Sequence, residues 1–469
     1  MFKKMITAIG LLTLISTLVF AGGAGQKKAP GAVKVLSAVT GGKDDAENLL
    51  FQQALEKATG LSISFEKVPA NYYDTLTAKL GAGEVYDLVY LNQTQMYSLA
   101  RQGALSDLTS RLRNSPVIRD NYPAGELEKT VFEGKYYGGF NKQEVYLLPN
   151  VNKAITDKAG IDISNLSTLE DYYNLLKKVK EYKENVEGKK PYYPYFCVLG
   201  DVWDLQPWFS AAGVRRGVFT DSSGKRYAPY VSPAAQPVWE WFKKLYDEGL
   251  LDPASFTGKS GDMRPRMWQS QDIVLDSDWA AWTGLYNANA KVAGTYPAAV
   301  NVVPLPGVKG PSGKYFLEQG EASLWAIPVS AANPDGAFKI IEYFATREGG
   351  LLLSAGIEGH DYNLVNGKVA LTETGTAHAR DHGAPFPISS RFDLGILGEL
   401  NPGLTDAIAI GKRSDVAVEP MGYDNGKLEP RQYYDVVAKW LIDTIQGKTG
   451  AAQAINSAAA ELRGKGIID

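Results

Sequence analysis

The sequence predicts an α/β protein built on mainly parallel sheets. Three observations carry that prediction. Over residues 33–103, short apolar runs of strand character alternate with helical segments, an order that gives a parallel sheet covered on both faces. Glycines close those helices at Gly60, Gly81, Gly83 and Gly103. Much later, the apolar run 323–327 leads into a proline-started amphipathic helix. At 469 residues, length allows roughly two or three domains.

Composition is that of an ordinary globular chain, 45% hydrophobic with a formal net charge of -3. The absence of a basic excess or a Lys/Arg run argues against a nucleic-acid partner. Residues 1–24 read as a signal peptide. Lys3 and Lys4 form its positive start, residues 5–20 are uncharged, and Val19-Phe20-Ala21 and Gly22-Gly23-Ala24 suit a signal peptidase. The uncharged stretch falls short of the roughly 20 residues a membrane span needs. The chain is therefore expected to be exported, to the periplasm or extracytoplasmic face. Cys197 is the single cysteine, so no intramolecular disulfide forms.

Residues 25–32 are a short polar linker. Residues 33–39 follow as a buried strand, 40–45 as a loop and 46–59 as a helix. The alternation in 61–65 gives a second strand. A helix over 72–80, a third strand over 86–90 and a helix over 96–102 complete the run. Ligands of such sheets bind outside the carboxyl ends of the strands. That edge carries Asp44, Asp45, Asn92 and Gln93.

Residues 168–183 form a helix with Leu169, Tyr172, Leu176 and Val179 on one face. A Pro/Tyr-rich loop, 189–194, precedes a segment holding Trp203, Trp208 and Phe209. The helix 238–248 buries Val238, Trp241, Phe242 and Leu245, and Trp239 lies off that face. A short strand, 272–275, enters the turn Asp276-Ser277-Asp278-Trp279-Ala280-Ala281-Trp282. Residues 300–306 are extended, and 427–446 and 451–463 are terminal helices. No internal repeat stands out.

The most informative stretch is 323–362. A strand ends at Pro328. Asn333 caps a helix with Pro334 at its first position and Asp335 in its first turn. Ala337, Ile340, Ile341 and Phe344 form its buried face, and Gly349-Gly350 is read as its stop. The apolar run 351–353 then reaches Gly356-Ile357-Glu358-Gly359-His360-Asp361-Tyr362. This succession resembles the extracellular solute-binding proteins of ABC importers, in the branch that captures oligosaccharides. The Gly-Ile-Glu-Gly-x-x-Tyr tail is its more specific part, and the resemblance extends in order over nearly the whole mature chain.

The resemblance implies a two-lobed periplasmic-binding-protein fold of type II. Each lobe would hold a mainly parallel sheet flanked by helices, with a hinge of about three crossings, near Leu147, near Ala326 and within 386–392. Lobe 1 would comprise 33–147 plus 323–385, and lobe 2 148–322 plus 386–469. An oligosaccharide or other small polar ligand would bind between them, and closure would present the complex to the transmembrane subunits of an ABC importer. The protein would act as a monomer, with no cofactor, no metal and no catalysis. Many relatives carry a lipid-anchoring cysteine just after the signal peptide. This chain has none there, which implies a free exported protein.

Enzyme signatures fail individually. Gly258-Lys259-Ser260 resembles the end of a phosphate loop, but Pro253 stands where its first glycine belongs. Neither a Gly-x-Ser-x-Gly elbow nor a His-Glu-x-x-His pair occurs. His378 and His382 lie among Gly375, Gly383 and Pro385 and read as solvated surface residues. An exported glycoside hydrolase needs only two carboxylates about 5 to 10 Å apart. The 52 acids make such a pair inevitable, so that reading stays open as the alternative. So does a binding protein for a peptide or other polar solute. A structural or adhesive role would call for repeats or disulfides.

Aromatic residues are abundant, with 9 Trp, 26 Tyr and 16 Phe. Such rings stack on the C–H faces of sugars, and acids and amides pair with the hydroxyls. Trp241, Phe242 and Phe344 belong to helical core faces. Trp203, Trp208, Trp279, Trp282 and Trp325 lie in loops or at strand ends and are candidates for ligand binding, with packing as the competing reading. Glu144 resembles the acid that maltose-type proteins place in the cleft before the first hinge. Trp279, with Asp278 beside it, resembles a tryptophan that stacks on sugar from the second lobe. Glu321 precedes the second crossing strand. Tyr362 matches the tyrosine of the family loop, in which Glu358 is a structural candidate.

Overall fold

The computed structural model describes residues 31–38, 43–69, 71–122, 125–143, 145–294, 301–378, 398, 400–424 and 428–469. The signal peptide, most of the linker, Glu144, His382 and the expected third crossing at 386–392 lie outside the described residues.

The first sheet orders its strands Ile63–Val68, Val33–Ala38, Leu88–Asn92, Ala322–Ala326 and Gly138–Gln143. The first three run parallel. Ala322–Ala326 runs against both of its neighbours, so four of the five strands share one direction. Alternate residues face opposite layers. Val33, Val35, Leu88 and Trp325 pack with Phe51, Ile341 and Phe344 on one side. Leu36, Val89, Leu91 and Leu324 pack with Leu76 and Met96 on the other.

The second lobe has a sheet of Leu275–Trp279, Leu147–Asn152 and Val302–Pro304. Its central strand runs antiparallel to both outer strands, so the expected mainly parallel arrangement is realised in the first sheet and not in this one. Its large core lies among the helices Leu169–Asn185, Gln236–Asp247, Pro430–Ile445 and Ala451–Gly464. Trp239, off the expected apolar face, is fully buried, and its Nε1 donates to the Tyr230 carbonyl at 3.1 Å.

The chain leaves the first sheet at Gln143 and enters the second at Leu147. There Tyr146 is clamped. Its hydroxyl lies against the Ala407 carbonyl and 2.7 Å from that of Ile408, and it accepts the Gly411 N–H at 2.8 Å. A Cβ on Gly411 would come within 2.1 Å of the Tyr146 ring, so only glycine permits this approach. The return crossing lies between Gln319 and Ala322, a few residues before Ala326. Ala326 is fully buried inside its strand, opposite Val89 and Gly138.

Asn333 caps the helix Pro334–Ala345 as expected, accepting the Gly336 N–H at 3.0 Å. Gly349-Gly350 does not stop it. The first helix ends at Ala345, and Thr346 caps a second, Arg347–Ser354, by accepting the Gly349 N–H. A Cβ on Gly349 would sit 1.9 Å from the Tyr343 carbonyl oxygen. The glycine thus lets two helix ends meet closely, and 351–353 is helical.

Candidate functional site

The register of the first sheet aligns three polar side chains. Ser323 pairs with Asn92 on one side and Lys142 on the other. This row lies at the carboxyl ends of Leu88–Asn92 and Gly138–Gln143, the edge where such sheets bind ligands. It borders a cleft of about 300 Å³, at the lower end of small-molecule pockets. Tyr73 and Tyr90 join the row from the first lobe, and Trp203, Arg216, Trp279 and Tyr434 line the cleft from the second.

Trp203 and Trp279 stack, with ring centroids 5.7 Å apart and planes inclined by 25°. Trp279 ends the strand Leu275–Trp279 and precedes the helix Ala280–Ala293. Asp278 fixes this junction. It accepts the Trp279 N–H at 2.8 Å and two bonds from Arg264 at 2.7 and 3.1 Å. Tyr286 donates to Asp276 at 2.7 Å and to Asp278 at 3.1 Å.

Arg216 and Glu318 form a buried ion pair, with Nε and Nη2 both directed at the carboxylate. Arg216 lies 5.1 Å from the Tyr434 ring. Glu318 keeps this arginine fully charged despite burial. Glu321, in the second crossing, reaches both sides of the cleft. Thr94 and Tyr423 donate to its Oε1, Tyr423 at 2.7 Å. Tyr97 meets Tyr423 edge-on at 5.3 Å, and Arg101 pairs with Glu429 at 3.2 Å.

Of the sequence candidates, Asn92, Trp203, Trp279 and Glu321 converge on this cleft. Asn92 also caps the helix Gln93–Arg101 through the Gln95 N–H. Gln93 is not among the residues lining the cleft and donates to the Tyr97 hydroxyl at 2.6 Å. Asp45 is exposed in the first turn of its helix, after Asp44, which serves as the cap. Glu144 lies outside the described residues.

Six readings are corrected. Trp208 is fully buried against Tyr172 and Trp241, at 4.8 and 5.3 Å, because its short helix Gln206–Phe209 turns into the core. Trp325 is a sheet-core residue beside Phe344. Trp282 lies beneath Arg264 at 3.8 Å, away from the cleft lining. Asp278 is fully buried and held by Arg264, hence structural. Tyr362 is buried in the first-lobe core, where its carbonyl accepts the Gly359 N–H. His378, expected at the surface, is buried too, with Nδ1 2.6 Å from Asp361 Oδ1. Sequence reasoning missed Tyr73, Tyr90, Lys142, Arg216, Ser323 and Tyr434. Tyr90 could have been found, two residues before Asn92 on the same strand. Nothing local marks Arg216.

Among the described residues, no group of three or more His, Cys, Asp or Glu is placed to hold a metal, and no helix is long and apolar enough to cross a membrane. The family model of bacterial extracellular solute-binding proteins matches residues 40–350. The chain belongs to this family. Its members, like the structural neighbours, are binding proteins. The chain is similar to lipoprotein LipO of Bacillus subtilis, 23% identical over 356 residues that cover 71% of this chain and 68% of LipO. Among solved structures, a substrate-binding protein of this family's fold, FusA of S. pneumoniae, superposes with a TM-score of 0.69 at 16% identity, covering 93% of this chain and 96% of FusA. MalE3 of T. maritima gives 0.65 at 17% identity, covering 92% and 99%. These likenesses establish the two-lobed α/β fold expected for such a solute-binding protein.

Proposed function

We propose that this solute-binding protein captures a carbohydrate, an oligosaccharide by preference, and delivers it to the transmembrane subunits of an ABC importer without altering it. The observation that carries this reading is the cleft's division of labour. The Trp203–Trp279 pair offers an aromatic surface on one wall, and the row Asn92, Ser323 and Lys142 offers hydrogen-bonding groups on the other. Sugars present apolar ring faces and polar rims, which such a pairing matches. The FusA structure is a complex with fructo-nystose and that of MalE3 holds maltose, which supports the same ligand class.

The site residues in this reading are Asn92, Trp203, Trp279 and Glu321, with Tyr73, Tyr90, Lys142, Arg216, Ser323 and Tyr434. Glu321 is the one carboxylate among the described residues lining the cleft. A two-carboxylate hydrolase would need a partner for it, which favours binding over hydrolysis. The lobes divide at 143–147 and 319–322. The protein works as an exported monomer.

A thermal-shift screen against neutral and acidic oligosaccharides tests the proposal, because a ligand bound only by the folded state raises Tm. At least one saccharide should raise Tm and be recovered intact. Recovery of cleaved products would replace binding with hydrolysis, and no shift with any saccharide, but a shift with peptides, would replace the ligand class.

A further inference from the structure

Trp203 is carried by a tight loop, Val198 to Asp204. The Asp201 and Val202 N–H groups both point to the Val198 carbonyl, at 3.4 and 3.1 Å. Val202 adopts φ +47, a conformation that costs a β-branched residue energy. Something must hold the loop in that shape. Its outer side is tied by Asp201, which binds Lys259 at 3.2 Å and Arg431 at 2.8 Å. Its inner side is tied by Asp204, the immediate neighbour of Trp203. Asp204 is fully buried, and its Oδ2 accepts the Val198 N–H at 2.9 Å. The other oxygen, Oδ1, has no hydrogen-bond partner among the described residues.

We propose that Asp204 is the positioning residue of the Trp203 platform: by accepting the Val198 N–H, its carboxyl group closes the loop that sets Trp203 against Trp279. The assignment rests on the reading of that tryptophan pair as the ligand surface. Burial makes the charged form of this group costly, and the neutral carboxyl, which still accepts the Val198 N–H through Oδ2, is the form that suits the closed loop. Burial raises the Asp204 carboxyl to about 7, the Val198 N–H lowers it, Asp278 raises it and Arg216 lowers it. Cys197 and Tyr195 face the same carboxyl, and burial raises both, so they stay protonated near neutral pH. Because the buried carboxyl holds its proton more tightly than an exposed one, closure of the loop is favoured at low pH and weakens as pH rises through about 7, and the tryptophan pair loosens with it.

The test needs no sugar, so its failure is distinct from failure of the carbohydrate reading. The circular dichroism couplet of the stacked indoles is defined as the signal lost in Trp203→Phe. In the wild-type protein it should fall by at least half as pH is raised from 5.5 to 8.5. Asp204→Asn keeps an acceptor but cannot ionise, and its couplet should not change with pH. Asp204→Ala should show a weak couplet at both pH values. A wild-type couplet that ignores pH, or an Asp204→Asn couplet that titrates like the wild type, overturns the proposal. So does a full couplet in Asp204→Ala, and if that variant does not fold, the Asp204→Asn comparison decides alone.

Discussion

Tyr423 donates its hydroxyl hydrogen to Glu321 at 2.7 Å, joining the second lobe to the crossing strand that returns to the first. Thr94 donates to the same oxygen from the first lobe. One carboxylate oxygen thus receives a donor from each side of the cleft.

Tyr423→Phe should weaken closure. Losing one hydrogen bond to a charged acceptor costs about 1.5–3 kcal/mol. Small-angle scattering of the sugar-free variant should report a larger radius of gyration than the wild type. An unchanged radius would mean that the Tyr97–Tyr423 and Arg101–Glu429 contacts suffice.

Trp279→Ala and Trp208→Ala should fail in different assays. Trp279 lines the cleft and stacks on Trp203. Its removal should weaken binding of a saccharide found by thermal shift at least about tenfold, while Tm without sugar changes little. Trp208 is core, and its removal should cost about 3–5 kcal/mol of stability. Unfolding curves and titration calorimetry on both variants check this. Loss of stability with affinity intact in Trp279→Ala would assign that residue to packing.

The N-terminal helix is tied to the family loop by His360, whose Nε2 lies 2.8 Å from Glu47 Oε2. The Glu47 hydrogen bond raises the histidine above its ordinary 6.5. A raised folded-state value means that its stabilisation is fully present below about pH 6.5 and is lost as pH rises through the raised value. His360→Gln should therefore lower Tm at pH 5.5 and scarcely change it at pH 8.5. An equal loss at both would show that the ring acts by packing alone.

Export predicts a mature chain starting near Gly22 or Gly25. Mass spectrometry of the protein secreted by a bacterial host should find that start without acylation. An intact Met1 would remove the signal-peptide reading.

The fold was legible because its signals are periodic. Alternation set the strands of the first sheet, and the Asn333–Pro334 cap set a helix start. Glycine was read less well. Gly349 looked like a terminator because sequence shows its freedom but not the Tyr343 carbonyl that needs its missing side chain. The site was half legible for a similar reason. Trp203 and Trp208 share one segment and one chemistry, and only the turn of Gln206–Phe209 sends one to the cleft and the other inward. Asp276 and Asp278 looked like turn residues because they are charged. Arg264 and Tyr286, each several residues away, make their burial tolerable. Arg216 depends on Glu318, more than a hundred residues on, which no local pattern reports.

The clamp on Tyr146 changes how the connection between the lobes should be pictured. The first crossing is riveted at this ring to the backbone of the helix Leu404–Ile410 and to Gly411. A strap that is free at its midpoint can twist alone. One that is riveted must carry its neighbour, so turning the first strand swings that later helix through the same arc. The first crossing and that later helix are thus fixed to one another, and enlarging Gly411 by one methyl group would force them apart without touching the cleft.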